Sequence, residues 1–354
     1  QDITSGGTTT PKSIINGLSV DYKLTDAKTV NTNTIANLMG IAEKITGTLE
    51  ANVYAALEDQ VLDKLVDGRI TKSGHKLNID VKYGTGTSNT VLAADLIALD
   101  ALTTGKVNVL GNVDTVKGST ADVRTVYGTA AAAITITGDE KVDITDTQVS
   151  AADIVAFCNT LSGLNTGTSG VITISSGSAF ELTGTATDVL KVTAEKGSGG
   201  GAKIAFQTDN PTVTITGAVA EASKVADIDD DTTGVVTVAA GALKGVTTKI
   251  ELVAKTDVNA GTTTGTQAMD FILDSGSVAG VKKVEGLTTG TITSALSDTS
   301  VSALSGLVES GHILSATIKD ATVDATALKT INGKTAGLIT LGTEVKTISG
   351  AAAD

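Results

Sequence analysis

The sequence contains no tryptophan, and only four phenylalanines and four tyrosines among 354 residues. That scarcity argues against a thick globular centre filled by large rings. An interior left to Val, Ile, Leu and Ala suits a thin core, one side chain deep. Only Pro11 and Pro211 interrupt the chain, as expected where many backbone N–H groups are engaged in strand ladders. A single cysteine, Cys158, excludes an internal disulfide framework and argues against a Cys-based zinc site. The two histidines, His75 and His312, lie far apart with no metal-type partner at local spacing, and both are expected at the surface. Arg69 and Arg124 are the only arginines, and the net charge is −13 with a pI near 4.6. Phosphate contacts need clustered Lys and Arg, so a nucleic-acid partner is not expected. No run approaches the ~20 apolar residues that cross a bilayer, so no membrane span is expected either.

What the sequence does have is repetition. In Val91-Leu92-Ala93-Ala94-Asp95-Leu96-Ile97-Ala98-Leu99-Asp100-Ala101-Leu102-Thr103-Thr104-Gly105, residues Leu96, Leu99 and Leu102 fall at helical spacing. Thr104-Gly105 reads as a stop, and Val107 and Val109 then alternate as in a strand with one buried face. The signature returns with first apolar anchors at Leu38, Leu96, Ile154, Val225, Val281 and Leu328. Between anchors, Gly118-Ser119-Thr120-Ala121-Asp122-Val123 matches Gly184-Thr185-Ala186-Thr187-Asp188-Val189. Leu304 and Leu307 also fall at a half-period. The basic element is therefore about half of the 58 residues that separate Leu38 from Leu96, within the ~20–45-residue range of stacked repeats. The fold class expected is all-β with short helices, a repetitive β-solenoid-like stack of coils. Thr, β-branched yet polar, suits the outer face of strands such as Ile134-Thr135-Ile136-Thr137 and Val213-Thr214-Ile215-Thr216.

Two segments are expected: residues 1–33, Thr-rich and unpatterned, as an arm for assembly, and residues 34–354 as the repeat array. The chain opens on Gln1 with neither Met nor signal peptide, which points to a processed chain or a piece of a longer one. No polar capping element is legible after Ile348, so the last repeat is expected to meet another copy or further repeats. Strand addition by residues 1–33 is one way to do so.

The pattern Ala-Ala-Asp-Leu…Leu-Asp-Ala-Leu-Thr-Thr-Gly followed by Gly-Ser-Thr-Ala-Asp-Val resembles repeats in very large secreted surface proteins of marine cyanobacteria and related bacteria. Similar repeats occur in some phage appendage proteins. The likeness is best over residues 90–190. It implies an extracellular structural or adhesive role and carries over no functional residues.

Each candidate site has a plain alternative. Asp227, Asp229 and Asp231 alternate like the start of a calcium loop, yet they occupy the helix-to-corner position of the repeat. Asp274-Ser275-Gly276 looks like half an aspartic protease site without its second carboxylate, so a turn is expected. Gly333-Lys334-Thr335 lacks the earlier glycine of a phosphate loop. Cys158 has no triad partner near it in sequence and reads as a half-buried thiol. No catalytic, metal or cofactor residue is assigned, and an enzyme is not expected. The function expected is an extracellular or cell-surface structural protein that self-associates into a homopolymer, a filament or a surface layer. Two alternatives stand beside it. One is a phage or bacterial fibre or adhesin module with polysaccharide binding; the other is an ice-binding surface of outward Thr pairs such as Thr135/Thr137 and Thr214/Thr216.

Overall fold

In the computed structural model of the chain, every pairing between described strands is parallel. The structure describes residues 22–23, 48–56, 74–82, 89–110, 113–128, 133–136, 140–164, 172–175, 180–194, 204–206, 211–255, 263–264, 268–308 and 311–351. Of residues 1–33, only Tyr22–Lys23 is described, a strand paired with Leu49 and Glu50. The Leu38 repeat and the glycine run 197–201 also lie outside the described residues.

The all-β expectation is corrected. Helix and strand occur in near-equal shares, about 34% and 36%, with nine helices among the described residues. Among the described residues the strands form several separate parallel sheets and no β-solenoid. The reason lies in segments expected only as short helical corners between strands. Ala93–Leu102, Ala151–Leu164 and Ala222–Asp231 have 10, 14 and 10 residues, long enough for two or more complete helical turns. Ala93–Leu102 is rich in Ala and Leu, the best helix formers, and none of the three carries a proline. The described anchors Leu96, Ile154, Val225, Val281 and Leu328 all sit on helices. Parallel neighbours need a crossover between them, and the helices supply it.

Two compact units interleave along the chain. The first comprises residues 1–146, 156–176 and 197–207; the second comprises 147–155, 177–196 and 208–354. Within the first, one five-stranded sheet runs Tyr22–Lys23, Leu49–Ala56, Lys76–Lys82, Val107–Val109, Ile134–Ile136. A second runs Thr90–Leu92, Thr115–Gly118, Lys141–Ile144, Ile172–Ile174, Ile204–Phe206. Tyr22–Lys23, Leu49–Ala56 and Lys76–Lys82 follow one another among the described strands, whereas from Lys76–Lys82 to Lys141–Ile144 successive strands alternate between the two sheets. The helix Ala93–Leu102 packs on strands of both, and it buries Ala93, Leu96 and Leu99 against a core that includes Val91, Val107, Val109 and Val116.

The second unit repeats the scheme. A five-stranded sheet holds Gln148–Ser150, Glu181–Gly184, Thr212–Ile215, Val236–Val238 and Thr263–Thr264. A six-stranded sheet holds Val219–Glu221, Ala242–Gly245, Asp270–Gly276, Ile292–Leu296, Ile313–Ile318 and Ile339–Leu341. Thr322–Asp324 and Thr347–Ser349 form a separate pair. The helices Ala186–Ala194, Ala222–Asp231, Thr247–Lys255 and Val278–Glu285 pack each on the next. Strands such as Val107–Val109 and Val236–Val238 bury their first and third residues and leave the middle one half-exposed. Each buried Val or Ile contributes roughly 1.5–3 kcal/mol, so the core is built from many small terms and needs few rings. Close packing also explains a recurrent glycine. A Cβ at Gly118 or Gly184 would lie 3.0 Å from the Cβ of Ala93 or Ala151, the first residue of a helix one repeat earlier.

Candidate functional site

Buried polar side chains mark where this fold departs from a plain apolar core, and most of them serve the backbone. The threonine opening each Thr-Thr-Gly corner reaches back to the strand one repeat earlier. The Thr103 hydroxyl accepts the N–H groups of Leu77 at 2.7 Å and Gly105 at 2.8 Å. The same hydroxyl has the carbonyl oxygens of Leu77 and His75 within donating reach, 2.8 and 3.1 Å from its oxygen. Thr335 repeats this with Leu314 N–H at 2.8 Å, Gly337 N–H at 2.9 Å and the carbonyls of Leu314 and His312. Thr232 and Thr288 accept from Gly234 and Gly290 and donate to the carbonyls of Pro211 and Met269. The glycine is required by space: a Cβ at Gly105, Gly290 or Gly337 would run into the carbonyl of Leu77, Met269 or Leu314.

The histidines occupy the same place in the repeat, which corrects the expectation that they lie at the surface. His75 is 2% exposed, and its Nδ1 accepts the Leu49 N–H at 3.1 Å. His312, with its side chain 13% exposed, accepts the Ile292 N–H at 3.2 Å on Nδ1. Its Nε2 lies 3.8 Å from the Glu285 carboxylate. Accepting on Nδ1 places the proton of the neutral ring on Nε2. A shared sequence signal exists: both rings follow Ser-Gly and precede x-Leu, in Ser73-Gly74-His75-Lys76-Leu77 and Ser310-Gly311-His312-Ile313-Leu314.

Three aspartates form a second set of ties that sequence reasoning missed. Asp146, Asp298 and Asp320 each accept, at 2.6 Å, the N–H of a helix's first residue: Thr120, Val278 and Val301 respectively. These partners lie 26, 20 and 19 positions earlier. A carboxylate there meets unpaired N–H groups and the positive end of the helix dipole. The legible signal is an aspartate two residues after the last apolar residue of a strand, as in Ile144-Thr145-Asp146 and Ile318-Lys319-Asp320. The matched Gly-Ser/Thr…Asp-Val segments are helix caps: Ser119 and Thr185 accept the N–H of Asp122 and Asp188 and donate to their carboxylates.

The candidate chemistry is dispersed. Asp227, Asp229 and Asp231 stand on the helix Ala222–Asp231, where alternate residues point to different sides and no loop wraps an ion. Among the described residues, no group of three or more His, Cys, Asp or Glu could hold a metal ion. Asp274 lies at the exposed end of a strand, 3.6 Å from Lys244. Lys334 caps a helix C-terminus and donates to the Ser305 carbonyl at 2.9 Å, the reverse of a phosphate loop, which precedes its helix. Cys158 is half-buried on Ala151–Leu164. Tyr127 meets Phe157 edge-on at 5.6 Å, and its hydroxyl is buried with no hydrogen-bond partner. Burial, with the Glu140 charge adding to it, holds the Tyr127 phenol well above the ordinary tyrosine range.

The hydroxyl pairs are also placed. Ser150, Thr183, Thr214, Thr237 and Thr264 lie in register on five adjacent strands. The row beside it holds Gln148 and Glu181, joined at 2.8 Å, and Glu181 also accepts from Thr214. Thr216 lies beyond its strand, Thr135 pairs in register with Asn108, and Thr137 lies outside the described residues. No helix among the described residues is long and apolar enough to cross a membrane. Comparison with known protein families, with curated proteins and with solved structures finds no match.

Proposed function

We propose that the chain is a structural, non-catalytic protein of the cell exterior whose copies associate with one another into a filament or surface layer. The observation that supports this most is an exposed apolar face on the strands Ile339–Leu341 and Thr347–Ser349. Ile318 and Val323 are 0% and 1% exposed, whereas their partners in register, Leu341 and Ile348, are 44% and 54% exposed. The helix Ala325–Gly333 buries Ile331 alone, while Val278–Glu285 buries Val278, Gly280, Val281 and Val284. A parallel strand with free N–H and C=O groups and an exposed apolar side is a template for strand addition. A second copy of this chain is the occupant favoured, because described strands such as Ile172–Ile174 and Val236–Val238 carry the same apolar–polar–apolar pattern as Ile339–Leu341. The polar side chains named above support a structural role as well, since their bonds hold neighbouring repeats together.

The test is sedimentation velocity and negative-stain microscopy of the chain, alongside the double variant Leu341→Lys/Ile348→Lys. Concentration-dependent association in the parent chain, lost in the variant, is the expected result. A chain that stays monomeric at all accessible concentrations, or a variant that associates equally well, contradicts the proposal. If only a different protein pairs with this face, self-association is also refuted.

A further inference from the structure

Four corners of the repeat solve one problem with two chemistries. A strand N–H one repeat earlier needs an acceptor, and Thr103 and Thr335 supply a hydroxyl to Leu77 and Leu314. His75 and His312 supply an imidazole Nδ1 to Leu49 and Ile292. A threonine hydroxyl keeps its acceptor lone pairs at every pH. A histidine Nδ1 loses its single lone pair when it takes a proton, and histidine is the side chain that does so between about pH 5 and 8. We propose that His75 and His312 are acid-labile joints: protonation of Nδ1 releases the strand N–H of Leu49 and of Ile292, while the threonine corners beside them stay closed.

The proton balance is simple. The neutral ring carries its proton on Nε2; a proton from solvent adds to Nδ1 and gives an imidazolium with two donors and no acceptor. Two N–H groups then face each other across the 3.1 and 3.2 Å now bridged by a hydrogen bond. Glu285, at the end of the helix Val278–Glu285, lies 3.8 Å from the Nε2 of His312 and offers the charged ring another partner. The other charges nearby are directed elsewhere. Lys334, next to Thr335, is bound to the Ser305 carbonyl, Asp270 accepts the Thr291 N–H at 2.7 Å, and Lys282 and Lys283 are exposed. At His75 the adjoining Lys76 and Glu50 lie 4.0 Å apart, both substantially exposed, and Asp100 closes the helix Ala93–Leu102 before the next corner. The carbonyls of His75 and His312 accept from the corners that follow, Thr103 with Thr104 and Thr335 with Ala336, so the backbone at each joint stays anchored while the ring moves. This inference does not rest on self-association.

The experiment is residue-resolved amide hydrogen exchange of the whole chain at pH 7 and pH 5, with protection corrected for the intrinsic rate. Protection at Leu49 and Ile292 should fall at least ten-fold on acidification, while Leu77 and Leu314 serve as internal controls and change little. In the variant His75→Thr/His312→Thr, which copies the chemistry of the other two corners, the fall should vanish. Equal behaviour of all four amides in the parent chain would overturn the proposal, as would a fall that persists in the variant. Should the variant not fold, the comparison of the four amides in the parent chain decides alone.

Discussion

The strands Ile313–Ile318 and Ile339–Leu341 lie side by side in one sheet and carry the same apolar spacing, yet one column is buried and the other is open. The same contrast separates Thr322–Asp324 from Thr347–Ser349. Residue type is therefore not what buries a position here. Burial is collective: a strand is covered when the next repeat lies over it, and its polar neighbours are satisfied when the next corner reaches back. This is the logic of repeat proteins, in which stability is a sum of intrinsic terms and nearest-neighbour terms.

The contrast can be broken most strongly at a covered ring. Phe271 is fully buried on the strand Asp270–Gly276, and Phe271→Ala should cost about 3–5 kcal/mol in urea unfolding. Ile348→Ala, at the open face, should stay within about 0.5 kcal/mol at concentrations where the chain is unassociated. Equal losses at the two sites would mean that the open face is covered in solution.

A middle-sized effect is expected at the corners. Thr103→Val keeps the shape and removes the acceptor for two buried N–H groups, which should destabilise by about 2–4 kcal/mol. Thr335→Val makes the same change at a half-buried corner, where water can reach the freed groups, and should cost about half as much. Denaturant midpoints of the two variants measure this directly, and a larger loss at Thr335 would contradict the collective account.

The smallest effect concerns Tyr127. Its hydroxyl is buried without a partner, so Tyr127→Phe should be neutral or slightly stabilising near pH 7. The sign of the pH dependence follows from the raised phenol. Above about pH 10 the unfolded chain sheds this proton while the folded chain retains it, so stability should fall as pH rises. The Phe variant should lose part of that fall, as read from urea midpoints at pH 9 and pH 11.

Part of this organisation was legible in the sequence. Leu96, Ile154, Val225 and Val281 mark a repeat that the structure places on buried helix faces, because a helical apolar stripe has an unmistakable period. The class was misjudged because short Ala-rich segments can read as corners until the strands around them are known to be parallel, which makes a crossover obligatory. His75 and His312 were misplaced because their shared Ser-Gly-His-x-Leu setting does not show which group the ring will meet. Its role as a backbone acceptor depends on a strand 26 or 20 positions earlier. Asp146, Asp298 and Asp320 were passed over for the same reason, since each is bonded to a distant helix start and not to its own neighbours. The acidic run at Asp227–Asp231 had the opposite fault, a vivid local pattern laid out along a helix that spreads it apart.

The most direct test of the central claim is amide hydrogen exchange at Leu341 and Ile348 as a function of protein concentration. If a second copy covers the open face, protection at these amides should rise with concentration while that at Ile318 and Val323 stays constant. Protection that is low and unchanged across the whole range would contradict the claim that this face is completed by another copy of the chain.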